Sequence, residues 1–265
     1  MSHKIFAVAV ASALLIASSL GVARAADLPM KAAPAPVPYY TWTGWYVGLN
    51  AGYGLAEDPF YQTVSAPGLG IESSSVNSRV TPNGAIAGGQ IGYNFQSGHV
   101  VYGVEGDFQW SGQRDTAGCG LECLSGGGIA ATLGTATQNI KWFGTARGRL
   151  GWADNGWLLY ITGGGAWAGV DATTAFSESG GGIPLVAGSG TTGFTRGGWV
   201  VGAGTEVRIS GPWSAKFEYL YMDLGGITDT LTITAPGLGA PVGTFSTNSE
   251  IHDHIVRVGV NYKLN

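Results

Sequence analysis

Residues 254–264 alternate with period two: Val256, Val258, Val260, Tyr262 and Leu264 share one side, and Arg257, Gly259, Asn261 and Lys263 share the other. In an extended strand successive side chains point to opposite faces, so this pattern is a strand that is apolar on one face and polar on the other. It recurs elsewhere in the chain. Val100, Tyr102, Val104, Phe108 and Trp110 oppose Glu105, Asp107 and Gln109. Ile140, Trp142, Leu150 and Trp152 oppose Lys141, Thr145, Arg147 and Arg149. Trp199, Val201 and Val207 oppose Glu206 and Arg208, and Trp213, Phe217, Tyr219 and Tyr221 oppose Ser214, Lys216 and Glu218. Three further segments, 42–54, 83–95 and 157–170, have strand character without a clear facing. That makes eight strands, roughly 42–54, 83–95, 100–110, 140–153, 157–170, 197–209, 213–222 and 254–264. Their lengths suit a tilted strand crossing a bilayer.

The connections alternate as well. Residues 55–82, 111–139, 171–196 and 223–253 are long and rich in Gly, Ser and Thr, whereas 96–99, 154–156 and 210–212 are short. Asp154-Asn155-Gly156 is a hairpin signal, because Asn and Gly tolerate positive φ. Four long loops interleaved with three short turns match an eight-stranded up-and-down barrel with both termini on the short-turn side, the asymmetry of outer-membrane barrels. A soluble barrel would point its apolar faces inward and its charges outward; a membrane barrel does the reverse. Charged residues make up only 11% of the chain, too few for a water-facing wall, and aromatics stand near the ends of the apolar faces as interfacial girdles do. The expected fold is therefore all-β: an eight-stranded antiparallel up-and-down transmembrane β-barrel with long outer loops and short periplasmic turns. Glu105, Asp107, Arg147, Arg149, Glu206, Arg208, Lys216, Glu218 and Arg257 are then expected to form a lumen charge network, in which the two signs satisfy each other. The 46 glycines fit a narrow tapered interior, and their irregular spacing excludes collagen.

The N-terminus sets the compartment. A short basic start is followed by an uncharged apolar stretch, residues 5–22, and then Ala23-Arg24-Ala25. This reads as a signal peptide over 1–25, cut between Ala25 and Ala26; a membrane anchor is the alternative. Residues 26–41 are a Pro/Ala-rich periplasmic arm, and 42–265 the barrel. Cys119 and Cys123 are the only cysteines, and in an exported chain they are expected to form a small disulfide loop, with metal binding and redox chemistry as the weaker readings.

The segment Trp42-Thr43-Gly44-Trp45-Tyr46-Val47-Gly48-Leu49-Asn50-Ala51-Gly52-Tyr53-Gly54, the stretch Gly89-Gln90-Ile91-Gly92-Tyr93-Asn94-Phe95 and the ending Arg257-Val258-Gly259-Val260-Asn261-Tyr262-Lys263-Leu264-Asn265 resemble the small outer-membrane surface-antigen barrels of alphaproteobacteria, the opacity-protein-like "porin family". The resemblance implies an outer-membrane structural protein and surface antigen. It also implies that the last strand, through Gly259, Val260, Tyr262 and Leu264, carries the signal for the barrel-assembly machinery. The family often ends in an aromatic, whereas this chain ends Leu264-Asn265.

Candidate chemistry is sparse. His252-Asp253-His254 sets two imidazoles on one side of a strand, an arrangement that could hold a metal or haem but reads more simply as a polar strand entrance. No Ser shares a strand face two residues from a His, which leaves a lipid-modifying enzyme as a weak reading. Gly-rich runs 126–128 and 180–182 lack the Lys of a phosphate loop. The formal charge of −4 gives no footprint for nucleic acid. The loops hold eleven acids (Glu57, Asp58, Glu72, Asp115, Glu122, Asp171, Glu178, Asp223, Asp229, Glu250 and Asp253) against Arg79, Arg114 and Arg196. Expected partners are outer-membrane lipid and lipopolysaccharide, with divalent cations at the acidic loops; no cofactor, catalytic residue or metal site is assigned. The leading reading is a structural barrel contributing to envelope integrity, and the alternative is a narrow porin.

Overall fold

The computed structural model describes residues 40–67, 71–119, 132–180, 183–234 and 241–264. The expected signal peptide 1–25, nearly all of the expected Pro/Ala arm, Cys123 and Asn265 lie outside them. Nine strands follow in chain order: β1 (Gly44–Ala66), β2 (Ile71–Val80), β3 (Asn83–Ser97), β4 (Val100–Cys119), β5 (Thr132–Asp154), β6 (Trp157–Gly180), β7 (Ile183–Ser210), β8 (Trp213–Thr234) and β9 (Pro241–Lys263). Each pairs antiparallel with its neighbours, and β1 pairs with β9 to close the sheet. Eight strands make the closed wall. β2 and β3 share one partner: β1 pairs with β3 over Gly44–Leu55 and with β2 over Asp58–Ala66. The break between them falls at Thr81-Pro82, where proline has no N–H for a ladder. Closure leaves no open edge in lipid.

The long connections are mostly strand. β7 spans 28 residues, far more than a bilayer needs, and the segments read as Gly/Ser/Thr loops continue as paired hairpins outside the membrane. Thr is β-branched and suits a strand, and its hydroxyls pair across strands: Thr116 with Thr137 at 2.9 Å, Thr173 with Thr191 at 3.1 Å. At the other end the turns are tight. Asn155 (φ 47°) and Gly156 (φ 84°) join β5 to β6, both left-handed as a two-residue hairpin of this type requires.

The three undecided strands alternate like the rest. Trp45, Val47, Leu49, Ile91, Phe95, Leu159 and Ile161 face outward, while Tyr46, Asn50, Gln90, Asn94, Leu158, Tyr160 and Thr162 are buried in the lumen. Trp45, Trp152, Trp157 and Trp213 ring the periplasmic side, and Tyr53, Trp110, Trp167, Trp199 and Tyr219 the outer side. Trp157 and Trp167 are ten residues apart on β6. At about 3.3 Å per residue and a tilt near 40°, that is roughly 25 Å, the height of a lipid-facing band.

One expected facing is reversed. Ile140 is fully buried and Lys141 is exposed, although Ile140 was expected on the lipid face and Lys141 in the lumen. The register shifts between Ile140 and Trp142. Lys141 is the extra residue of a β-bulge, and beyond a bulge the parity of a strand inverts.

Candidate functional site

The lumen is filled in three layers. At the periplasmic mouth Trp42, Val101, Ala153, Leu158 and Tyr160 form an apolar cluster, with Tyr40 packed on it. The chain enters here before β1 begins. The Trp42 N–H donates to Gln96 Oε1 (2.7 Å), the Gln96 N–H donates to Thr43 Oγ1 (2.9 Å), and Lys263 Nζ donates to the Thr41 carbonyl (2.6 Å). Residues 40–43 are thus pinned across the mouth as a cork. At the outer end a larger apolar cluster contains Ile86, Ile140, Phe143, Val170, Val200, Leu220, Met222, Leu224, Ile251 and Ile255.

Between them lies a charged layer. The register sets opposite charges side by side on neighbouring strands: Glu105 against Arg147, Glu206 against Lys216, and Glu218 against Arg257. Arg147 binds Glu105 directly, reaches Asp107 at 2.8 Å and Glu218 at 3.2 Å. Arg257 lies 2.6 Å from Glu218 and 3.0 Å from Asp107. Lys216 Nζ donates to both oxygens of Glu105, at 3.0 and 3.1 Å. Arg149 holds Glu206 at 3.0 Å and stacks over the Tyr160 ring at 4.1 Å. Four carboxylates and four cations, all nearly inaccessible, give a neutral set, as buried charge requires. Neutral groups complete it. The Tyr46 hydroxyl donates to Glu105 (2.7 Å), the Tyr160 hydroxyl to Glu218 (2.8 Å), and Thr145 to Asp107 (2.7 Å). An amide chain, Asn50 to Gln90 to Asn261, ends on Glu206. Glycines make the room: a Cβ on Gly92 would lie 2.3 Å from the Tyr46 hydroxyl, and one on Gly204 2.6 Å from the Tyr160 hydroxyl.

Arg208 is not in this layer. It sits exposed at the periplasmic rim, where its Nε donates to the Gly211 carbonyl (3.4 Å) and its guanidinium covers the Tyr40 ring at 4.7 Å. Its strand parity is that of Glu206, but it lies one step too near the strand end to reach the interior.

The histidine pair faces outward. Tyr219 and His254 share a hydrogen bond at 2.7 Å, and His252 approaches Asp223 at 3.7 Å. Both imidazoles lie against Tyr221, so they extend the outer aromatic girdle. Among the described residues no His/Cys/Asp/Glu group has the geometry of a metal site. Asp253, counted among the acidic loop residues, points the other way. It is fully buried and accepts from Gln113 Nε2 at 2.9 Å. Alternation down from Arg257 places it inside, a signal the loop assignment passed over. Of the proposed disulfide, Cys119 ends β4 and its partner falls outside the described residues. Val260, Tyr262 and Leu264 present to lipid, while Gly259 packs on the Leu49 carbonyl side of β1. Sequence alternation did not find the cork or the outer apolar layer, because their apolar residues, such as Val101, Leu158, Leu220 and Ile255, occupy lumen positions that the alternation reserves for polar side chains.

Comparison with known proteins agrees with this architecture. The family model for the outer membrane protein beta-barrel domain matches residues 12–263. The chain is 34% identical over 251 residues to the 31 kDa outer-membrane immunogenic protein of Brucella melitensis, covering 91% of this chain and 93% of that protein. It is 29% identical over 259 residues to the 25 kDa outer-membrane immunogenic protein of Brucella abortus, covering 97% and 96%. It is 30% identical over 192 residues to the 22 kDa outer membrane protein of Rhizobium leguminosarum, covering 71% and 68%. The lipid-facing band, the closed sheet and these matches together make the chain a member of the outer membrane β-barrel family, resident in the outer membrane.

Proposed function

We propose that the protein is a sealed structural barrel of the outer membrane, a surface antigen whose hairpins stand outside the cell and whose wall contributes to envelope integrity. The observation that carries this reading is the filled lumen: an apolar cork, a neutral charged layer and a second apolar layer lie in series. An eight-stranded barrel is just wide enough for side chains to fill it, and the two apolar layers interrupt a polar path between its ends. A narrow porin is therefore disfavoured. Purified, folded barrel in planar bilayers is expected to give no steady ohmic current. Steady channels would overturn the sealed reading. A deletion strain is expected to become more sensitive to detergent, reversed by the intact gene.

The surrounding partners follow from chemistry. The lipid-facing band meets outer-membrane lipid, and the last strand is the part the assembly machinery would engage. Carboxylates at the outer rim, Glu57, Asp115, Asp171 and Glu250, stand where anionic lipopolysaccharide would be bridged through Mg²⁺ or Ca²⁺. Asp171 pairs with Lys141 at 2.5 Å and Asp115 accepts from the Thr81 N–H at 2.7 Å, so a bound cation would compete with these contacts. Chelation is expected to raise protease sensitivity of the outer hairpins in native membranes. Unchanged sensitivity would remove the cation bridge from the reading.

A further inference from the structure

The wall closes only part of the way out. β7 and β8 pair as far as Trp199 opposite Asp223. Beyond that point, among the described residues, the Ile183–Gly198 part of β7 pairs with β6 alone, and the Gly226–Thr234 part of β8 with β9 alone. The outer wall is therefore two blades, β4–β5–β6–β7 and β8–β9–β1–β2. The seam between β2 and β4 is tied at its base, where the Thr81 N–H donates to Asp115 (2.7 Å). The seam between β7 and β8 is opened by design of the chain. A bulge at Asp223–Gly226 falls where the β7–β8 pairing ends, with Gly225 left-handed (φ 71°) and its N–H held by Asp223 at 2.8 Å.

Long free edges are templates for another strand, and proteins that keep them bare blunt them with Lys, Pro or inward charge. The β8 edge, Gly-Ile-Thr-Asp-Thr-Leu-Thr-Ile-Thr over 226–234, has no Lys, Arg or Pro and a single charge, Asp229. The β7 edge has one Pro, at 184 near its tip, and one Arg, at 196 near its base. Edges of this composition are suited to being covered. Their directions decide by what. β7 and β8 run antiparallel, so one inserted strand would be antiparallel to one edge and parallel to the other. A second copy has no such conflict. Both copies enter the membrane the same way and stand at the same height on their girdles. A twofold axis along the membrane normal then sets β7 of each copy antiparallel to β8 of the other, and both edges are covered by one isologous contact. We propose that two copies associate through their outer blades in this way, each pairing Ile183–Gly198 with Gly226–Thr234 of the other.

The test uses the full chain in outer membranes, in a Cys119→Ser/Cys123→Ser background. Thr195 and Thr228, both exposed, become cysteine in separate copies expressed together, and a short bismaleimide is added to cells. The expected result is a mixed cross-linked dimer that falls at least tenfold when Thr230→Lys and Thr232→Lys are added to the β8 copy. Heat-modifiable gel mobility should be unchanged throughout, showing that the barrels are folded. Folded barrels with no mixed dimer, a dimer indifferent to the lysines, or a product joining either cysteine to a different protein would overturn the proposal. A chain carrying both cysteines that cross-links only within itself would do the same, because it would show the seam closing on its own.

Discussion

Arg208 and Arg257 are separated in the structure by what the sequence leaves equal. Both fall on the polar face of an alternating strand, and alternation assigns facing but not depth. Arg257 is fully buried with Asp107 and Glu218 as partners, whereas Arg208 lies at a rim. Truncating one member of a buried ion pair leaves the other charge uncompensated and costs about 3–5 kcal/mol, while surface changes stay within about 0.5 kcal/mol. Arg257→Met is therefore expected to lower the urea midpoint of the barrel in detergent micelles or vesicles, and Arg208→Met to leave it nearly unmoved. Equal effects would mean that the buried layer does not hold the barrel together. The interior acids and bases were legible because parity repeats. Their pairing was not, because Glu105 meets Arg147 and Glu218 meets Arg257 only once strand register is fixed.

At the scale of the strand, the limit of sequence reading is the bulge. Period two carries facing along β5 until Lys141, and one inserted residue then exchanges the two faces. Nothing in the Ile-Lys-Trp sequence announces this, since an apolar residue beside a charged one suits either facing. The prediction is direct. In a Cys119→Ser/Cys123→Ser background, Lys141→Cys should react from outside with a membrane-impermeant thiol reagent, and Ile140→Cys should resist until the barrel is denatured. The reverse order would remove the bulge. Strand length is hidden in the sequence for a related reason. Thr-rich and Gly-rich segments look like loop when taken one by one, yet in register their hydroxyls meet across the sheet, as Thr173 and Thr191 do. Pairing makes these segments strands, and pairing is a property of two segments together.

For the molecule as a whole, the arrangement of layers matters more than any one of them. Trp42 seals the periplasmic mouth, Arg147 and its partners fill the middle, and Phe143 with Ile255 fill the outer end. Seals in series behave as resistances in series: current through the barrel is set by the tightest, so opening one changes little. Trp42→Ala alone removes a large side chain from the cork at a stability cost of about 3–5 kcal/mol, but the charged layer still blocks the path. Replacing Arg147 and Asp107 together by Ser keeps the layer neutral and widens the middle, with both apolar ends still closed. Neither variant is expected to conduct. Combining them with Phe143→Ala and Ile255→Ala should give steady current in planar bilayers, provided the heat-modifiable band shows the barrel folded. A steady channel from Trp42→Ala alone would place the whole seal at the cork and make the charged layer a structural brace rather than a barrier. Current from the combined variant alone would show that the lumen is closed by its full depth, which is how a wall protein differs from a gated pore built on the same eight strands.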